Sequence, residues 1–343
     1  MKKYLALATL FCGFSSHAVE INDNINIVGL LGAYQTNGGP LAEGSQDGNP
    51  IEAKVRLNGL ANFDINDDWT VFGRMEYDLN FLNLKEGTEI KNGKLRKRYE
   101  YIGASHTDLG SLWFGKDWGA TYAHMPILKM RYLGFQDVAA GQATWRNSDT
   151  LLYKNNIGNW GFVASTQLSD STRDFDYKDD AFTTDGNAFT ITYGASPFYG
   201  DGFGIGYSYH DAGLYGPNGG LYKDKGDATH NIGANFRHGA WYIGATIAKS
   251  ELNDNGKSAD LNKYTWDIAA EYTVNERLSL VLHHAQIYGR WGAENERFVG
   301  YGIHYNAFDI LPSLFLFAEG RISDGGDSGT IEDTHVAGIE YLF

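Results

Sequence analysis

The chain of 343 residues carries 42 acidic against 28 basic side chains, a formal charge of −14, which makes it a poor binder of nucleic acid. Its one cysteine, Cys12, lies close to the amino terminus, so disulfides, thiolate metal sites and cysteine nucleophiles are excluded from everything that follows it. The 43 Gly, 22 Tyr and 19 Phe against 6 Pro favour strands, tight turns and aromatic surfaces, and no linker or composition shift divides the chain.

Lys2-Lys3, an apolar run from Tyr4 to Phe14, and Ser16-His17-Ala18 together read as a secretory signal cleaved after Ala18. The expected organisation is a leader over 1–18 and one domain over 19–343. The run covers about ten residues where a membrane-spanning helix needs roughly 20. A lipobox is not expected, because the residue before Cys12 is the bulky Phe11.

From Glu52 onward the period is two. Ala53, Val55, Leu57, Gly59, Ala61 and Phe63 fall on one face, with Glu52, Lys54, Arg56, Asn58 and Asp64 on the other. Asn66-Asp67-Asp68 is a tight turn. Trp69, Val71, Met75, Tyr77, Leu79 and Phe81 then alternate with Thr70, Arg74, Glu76, Asp78 and Asn80. Tyr264, Trp266, Ile268, Ala270 and Tyr272 alternate in the same way with Thr265, Asp267, Glu271 and Thr273. Extended along the chain, this reading gives about sixteen strands of roughly 8 to 14 residues.

Short connections (Asn66 to Asp68, Thr107 to Gly110, Arg237 to Gly239, Asn275 to Arg277) alternate with long polar ones (Thr36 to Pro50, Ser169 to Gly186, Ala212 to Gly226, Leu252 to Asn262). Short turns at one end and long loops at the other are the plan of an outer-membrane barrel. A soluble β-sandwich also alternates, but it needs one aliphatic core; here the apolar face is rich in aromatics near strand ends and the other face holds mid-strand charge. The chain ends Glu340-Tyr341-Leu342-Phe343, a strand that finishes on an aromatic residue.

Three stretches resemble Gram-negative general porins: Arg56-Leu57-Asn58-Gly59 with Ile65 to Tyr77, then Thr107 to Gly119, then Ala143 to Ser148. With the leader and Phe343 the likeness covers essentially the whole chain and is strongest before residue 150. It implies an all-β fold, a 16-stranded antiparallel transmembrane β-barrel with an infolded third external loop, here about Asp117 to Ala143. It further implies a homotrimer, multi-pass in the Gram-negative outer membrane among lipid and lipopolysaccharide, that passes ions and small hydrophilic solutes by diffusion.

Parity puts Arg56, Arg74, Arg96 and Arg98 on inward faces of consecutive strands, with the carboxylates Glu76, Asp78 and Glu100 among them. Arg56, Arg98 and Arg146 match basic positions of the family's constriction. The alternative reading is a set of salt bridges that braces the wall. The loop departs from the family. Where an acidic motif would stand it carries His124, Lys129 and Arg131, with only Asp117 and Asp137 near its ends, and Leu30 occupies the position of the family's first-strand lysine. More fixed cations than anions in a narrow opening favours anions, unless Lys129 and Arg131 pair with wall carboxylates behind the loop.

Other motifs carry less. Gly200 to Gly206 is rich in glycine, but a strand follows where a dinucleotide site needs a helix. His283 and His284 are adjacent on a strand and point to opposite faces. Asp174, Asp176, Asp179, Asp180 and Asp185 in one loop, and Asp324 and Asp327 in another, read as solvated charge or as ligands for divalent cations at the lipopolysaccharide surface. No cofactor, metal or catalytic residue is expected. Two other functions stay open: a substrate-specific porin using Trp118, Tyr122 and Tyr132, and an outer-membrane β-barrel enzyme with a triad assembled in space.

Overall fold

A strand alternating polar and apolar faces satisfies its backbone only by pairing on both edges, and in a membrane no edge can stay open. The computed structural model describes residues 19–22, 25–37, 51–84, 95–121, 146–168, 171–172, 182–183, 186–195, 201–211, 214–215, 221–223, 228–250, 263–290, 294–307, 313–323 and 333–342. Its first strands are β1 (Val19–Asn22), β2 (Ile25–Asn37), β3 (Ile51–Asp64), β4 (Trp69–Leu84), β5 (Leu95–His106), β6 (Gly110–Trp118), β7 (Arg146–Ile157) and β8 (Trp160–Gln167). After the short β9 (Ser171–Thr172) and β10 (Phe182–Thr183) come β11 (Gly186–Gly194) and β12 (Gly202–His210), and after β13 (Leu214–Tyr215) and β14 (Leu221–Lys223) come β15 (Thr229–His238) and β16 (Trp241–Ser250). The series ends with β17 (Lys263–Thr273), β18 (Leu278–Arg290), β19 (Glu294–Asn306), β20 (Leu314–Ser323) and β21 (Thr334–Leu342).

Sixteen of these form one antiparallel ring, β2 to β8, β11, β12 and β15 to β21. The ring closes where β21 pairs β2, from Leu30 opposite Leu342 to Asn37 opposite His335. β1 pairs the lower part of the same β2 edge, Val19 opposite Ile27, and so continues the seam below β21. Among the described residues no helix is long and apolar enough to cross a membrane; the crossing is made by strands.

Side-chain oxygens fix the tight turns. Asn66 Oδ1 accepts from the amides of Asp68 and Trp69, each at 3.0 Å. Asn275 Oδ1 accepts from those of Arg277 and Leu278 at 2.9 and 3.0 Å, so the chain reverses with its amides satisfied. At the other end the long connections carry short strands of their own. The long connections between β8 and β11 and between β12 and β15 are not wholly irregular, since β9, β10, β13 and β14 pair into a small four-stranded sheet. Strands of two or three residues are too short to display a period.

The two faces are chemically distinct. On β17 Tyr264, Ile268 and Tyr272 are exposed outward while Thr265, Asp267 and Ala269 are buried inward. Outward apolar side chains are exposed around the ring, Ile102 at 65% and Ile247 at 64%, as a surface solvated by lipid requires. Trp160 with Tyr193 and Trp241 with Tyr272 form ring pairs at 4.9 and 4.6 Å near the short-turn end.

After β6 the chain turns into the barrel. The amide of Ala120 donates to Ser165 Oγ at 3.4 Å, and Thr190 Oγ1 donates to the carbonyl of Ala120 at 2.6 Å. Ser165 on β8 and Thr190 on β11 face inward, so Gly119 to Thr121 lie across the inner wall at the root of the third long connection. The rest of that connection is outside the described residues. Replacing Thr190 by Val removes an anchor worth about 1 kcal/mol. Single-channel records of this variant are expected to show noisier, larger currents; a trace as quiet as that of the native chain would mean that the bond does not hold the loop.

Candidate functional site

The inner wall of β3, β4 and β5 carries a cluster of three arginines and two carboxylates. Register sets Arg56 opposite Asp78, with Leu30 on its other side, and Asn58 opposite Glu76. Arg56 grips Asp78 with two parallel bonds, Nε to Oδ1 at 2.5 Å and Nη2 to Oδ2 at 3.0 Å, the fork geometry that only a guanidinium offers. Arg98 reaches both carboxylates, Nε to Glu76 Oε1 at 2.5 Å and Nη1 to Asp78 Oδ2 at 3.2 Å. Arg74 donates to Glu76 Oε2 at 2.8 Å and to Asn58 Oδ1 at 3.0 Å.

Arg98 holds its place because β5 is bulged. Glu76 pairs Tyr99 and the next pair is Tyr77 with Lys97, leaving Arg98 as the extra residue. A bulge re-aims every side chain beyond it. From Tyr99 onward the odd positions face inward, and Glu100 faces outward opposite Met75, which is 50% exposed on the lipid side. The inward placement expected for Glu100 is therefore corrected: its carboxylate pairs with Lys97 on the outer wall.

The same bulge assembles an aromatic ledge that parity alone does not reveal. Tyr99 and Tyr101 lie inward, with ring centroids 6.4 Å apart, and Phe72 and Trp113 each stand 6.2 to 6.3 Å from Tyr101. The Arg74 guanidinium sits 3.8 Å over the Tyr99 ring, a cation–π contact. Trp118 Nε1 donates to the Tyr99 hydroxyl. Asp117, expected as an acidic group of the loop, is engaged at its root: it accepts from Trp113 Nε1 at 2.8 Å and from the Trp118 amide at 2.7 Å. The available signal was Phe72, an apolar residue on the polar parity of β4.

Glu76 and Asp78 are 4% and 5% exposed, whereas the arginine side chains keep 16 to 25% of their surface. The wall thus shows guanidinium to the lumen and hides carboxylate beneath it. Among the described side chains of this cluster three guanidiniums share two carboxylates, and Lys54 stands one inward position above Arg56 on β3. A family model described as Gram-negative porin matches residues 5–307.

The chain belongs to the Gram-negative porin family.

This porin is 26% identical over 214 residues to the putative outer membrane porin protein NmpC of Escherichia coli K12, covering 59% of this chain and 55% of that one. It is 26% identical over 241 residues to outer membrane porin F of Xenorhabdus nematophila, covering 66% and 60% respectively. The chain thus spans little more than half the length of these curated relatives. Among solved structures, OmpF of Salmonella typhi matches with a TM-score of 0.70 at 16% identity over 95% of this chain and 100% of that one. The anion-selective porin of Comamonas acidovorans matches with a TM-score of 0.64 at 11% identity over 93% and 99%. These structures share the porin's fold, and the porin is a multi-pass outer-membrane protein.

The other expected site residues of this porin are placed only in part. Arg96 pairs Asp78 and Arg146 pairs Trp118 in the backbone ladder; their side chains are outside the described set. So are His124, Lys129, Arg131, Asp137, Tyr122 and Tyr132, and the acidic loop residues Asp174, Asp176, Asp179, Asp180, Asp185, Asp324 and Asp327. His283 and His284 do face opposite ways, His283 buried inward and His284 outward with its ring 4.8 Å from Trp266. Inward carboxylates that were not singled out stand elsewhere on the wall. They are Asp267 and Glu271 on β17, Glu319 bound to His304 at 2.8 Å, and Glu340, across Gly32 from Lys54.

Proposed function

We propose that this porin is a passive pore for ions and small hydrophilic solutes, working as a homotrimer with a weak preference for anions. One observation carries the preference: the wall presents three guanidiniums to water over two buried carboxylates. A fixed positive charge in a narrow, low-dielectric opening lowers the barrier for anions and raises it for cations. Both alternatives for the arginines then hold together, since the salt bridges that brace the wall also leave its outermost layer cationic. The carboxylates keep the guanidiniums apart and aim them.

The outer wall supports the oligomer. Lys97 and Glu100, the third and sixth residues of β5, form an ion pair there, and Lys116, opposite Glu100 in register, is 6% exposed. Charge at that depth is costly against lipid tails, and a neighbouring subunit is a cover that removes the cost. A second reading, a solute-selective pore, is favoured by the aromatic ledge beside Arg74, a surface suited to the flat faces of sugars or aromatic solutes.

Planar bilayers test these readings together. Conductance is expected to rise linearly with salt, to appear in groups of three equal steps, and to give reversal potentials on the anion side in a potassium chloride gradient. A reversal potential close to the potassium limit overturns the anion preference, and conductance blocked saturably by one solute class turns the assignment toward the selective pore.

A further inference from the structure

Three aromatic rings on the inner wall meet water where burial was open to them. Phe72, Tyr101 and Trp113 face inward and are each partly exposed, whereas the inward Leu152, Tyr242, Phe298 and Phe317 are buried at 1 to 5% exposure. Ring surface left facing water forgoes the gain that burial brings, so packing alone does not account for the three. Register sets Phe72 and Trp113 on either side of Gly103, where a Cβ would stand 2.4 Å from that of Trp113. The glycine lets the two rings meet, with centroids 6.2 Å apart at 62°, and Tyr101 closes the triangle at 6.2 and 6.3 Å.

Arg74 lies opposite Tyr101, on the long-loop side of Phe72. Its Nη2 and Nε are engaged by Glu76 and Asn58, its Nη1 takes part in neither bond, and the side chain keeps 25% of its surface. Ring faces and a solvated guanidinium therefore stand one strand spacing apart, about 4.8 Å. A carboxylate carried on an aromatic ring fits that separation, the ring packing edge-on or offset against the triangle and the oxygens accepting from Arg74. A sugar fits less well, because the polar edges are taken: Trp113 Nε1 donates to Asp117, and the Tyr99 hydroxyl accepts from Trp118 Nε1.

We propose that Phe72, Tyr101, Trp113 and Arg74 form a binding site for aromatic monocarboxylates on the short-turn side of the arginine wall. The site rests on the reading of this wall as part of the solute path, and it gives the solute-selective reading its substrate class.

The test uses the full-length barrel in planar bilayers, with benzoate, cyclohexanecarboxylate, benzyl alcohol and maltose as probes and the concentration that halves the current as the readout. Each variant is first shown to be folded by its heat-modifiable gel mobility. Benzoate is expected to halve the native current at a concentration about tenfold below that of any other probe. Phe72→Leu/Trp113→Leu is expected to bring benzoate to the level of cyclohexanecarboxylate, Phe72→Tyr to keep the difference, and Arg74→Gln to weaken benzoate about tenfold. Equal block by benzoate and cyclohexanecarboxylate in the native chain, stronger block by maltose, or benzoate block unchanged in the ring and Arg74 variants overturns the proposal while leaving a conducting pore in place. If the native chain conducts nothing, the pore reading fails, and saturation-transfer NMR of benzoate on the detergent-solubilised barrel decides the site: transfer that survives the double ring substitution overturns it.

Discussion

Glu76→Gln is expected to move the reversal potential further toward anions and to lower the unfolding temperature in the same protein. Glu76 lies at the centre of the wall, within 2.5 Å of Arg98, 2.8 Å of Arg74 and 3.6 Å of Arg56. Neutralising it takes the charged partner from Arg74 and leaves Arg56 and Arg98 to share the carboxylate of Asp78. Removing one partner of a buried ion pair costs about 3–5 kcal/mol, and since these arginines are partly solvated the expected loss is nearer ~2–3 kcal/mol. One added positive charge near the ion path is worth about 1 kcal/mol, or roughly a fivefold change in the anion-to-cation permeability ratio. An unchanged reversal potential in a correctly folded variant would show that ions do not pass this wall.

Gly115→Ala is expected to have a larger effect on assembly. Gly115 has φ +139° and lies opposite Tyr101, and a Cβ there would stand 2.1 Å from the Glu100 carbonyl oxygen and 2.7 Å from the Tyr101 Cα. Both are backbone atoms that cannot swing away, so the β5–β6 ladder has to open. A strained conformation together with a backbone clash is expected to cost about 3–5 kcal/mol. Just beyond Gly115 the β6–β7 register shifts, from Gly115 opposite Thr150 to Asp117 opposite Asn147. The damage therefore falls where the chain enters the barrel. Gly158→Ala is the matched control, since Gly158 has φ +59° but nothing within 4 Å of an added Cβ, and its cost should be about 1 kcal/mol. Folded yield and heat-modifiable gel mobility distinguish the two variants; native yield for Gly115→Ala would remove the steric argument.

Much of this was legible in the residues because the period of a strand is set by its backbone. Alternation between lipid and water placed Arg56, Arg74, Glu76 and Asp78 on one face, and register then made them neighbours. Illegible was anything that depends on one extra residue. Arg98 faces inward as parity demands, but Glu100, two residues on, does not, because the bulge spends a residue and exchanges the faces. Tyr99 and Tyr101 would read as lipid-facing for the same reason. Asp117 carried a charge that looked available, yet the Trp113 indole and the Trp118 backbone amide hold it at the loop root, bonds that charge and parity alone do not announce. The strands β9, β10, β13 and β14 escaped notice because pairing between two loops is set by where the barrel carries them.

The seam between β2 and β21 also governs how such a chain can form. Leu30 meets Leu342, so the last ladder of the ring joins segments ~300 residues apart, and closing so long a loop is paid in chain entropy before the contacts return anything. Until β21 arrives, β2 and β20 each expose a row of unpaired backbone groups that lipid cannot satisfy. A nascent chain therefore has no stable half-barrel to rest in. It has to remain soluble and unpaired until β21 is available, so the timing of assembly is set by the strand that closes the ring.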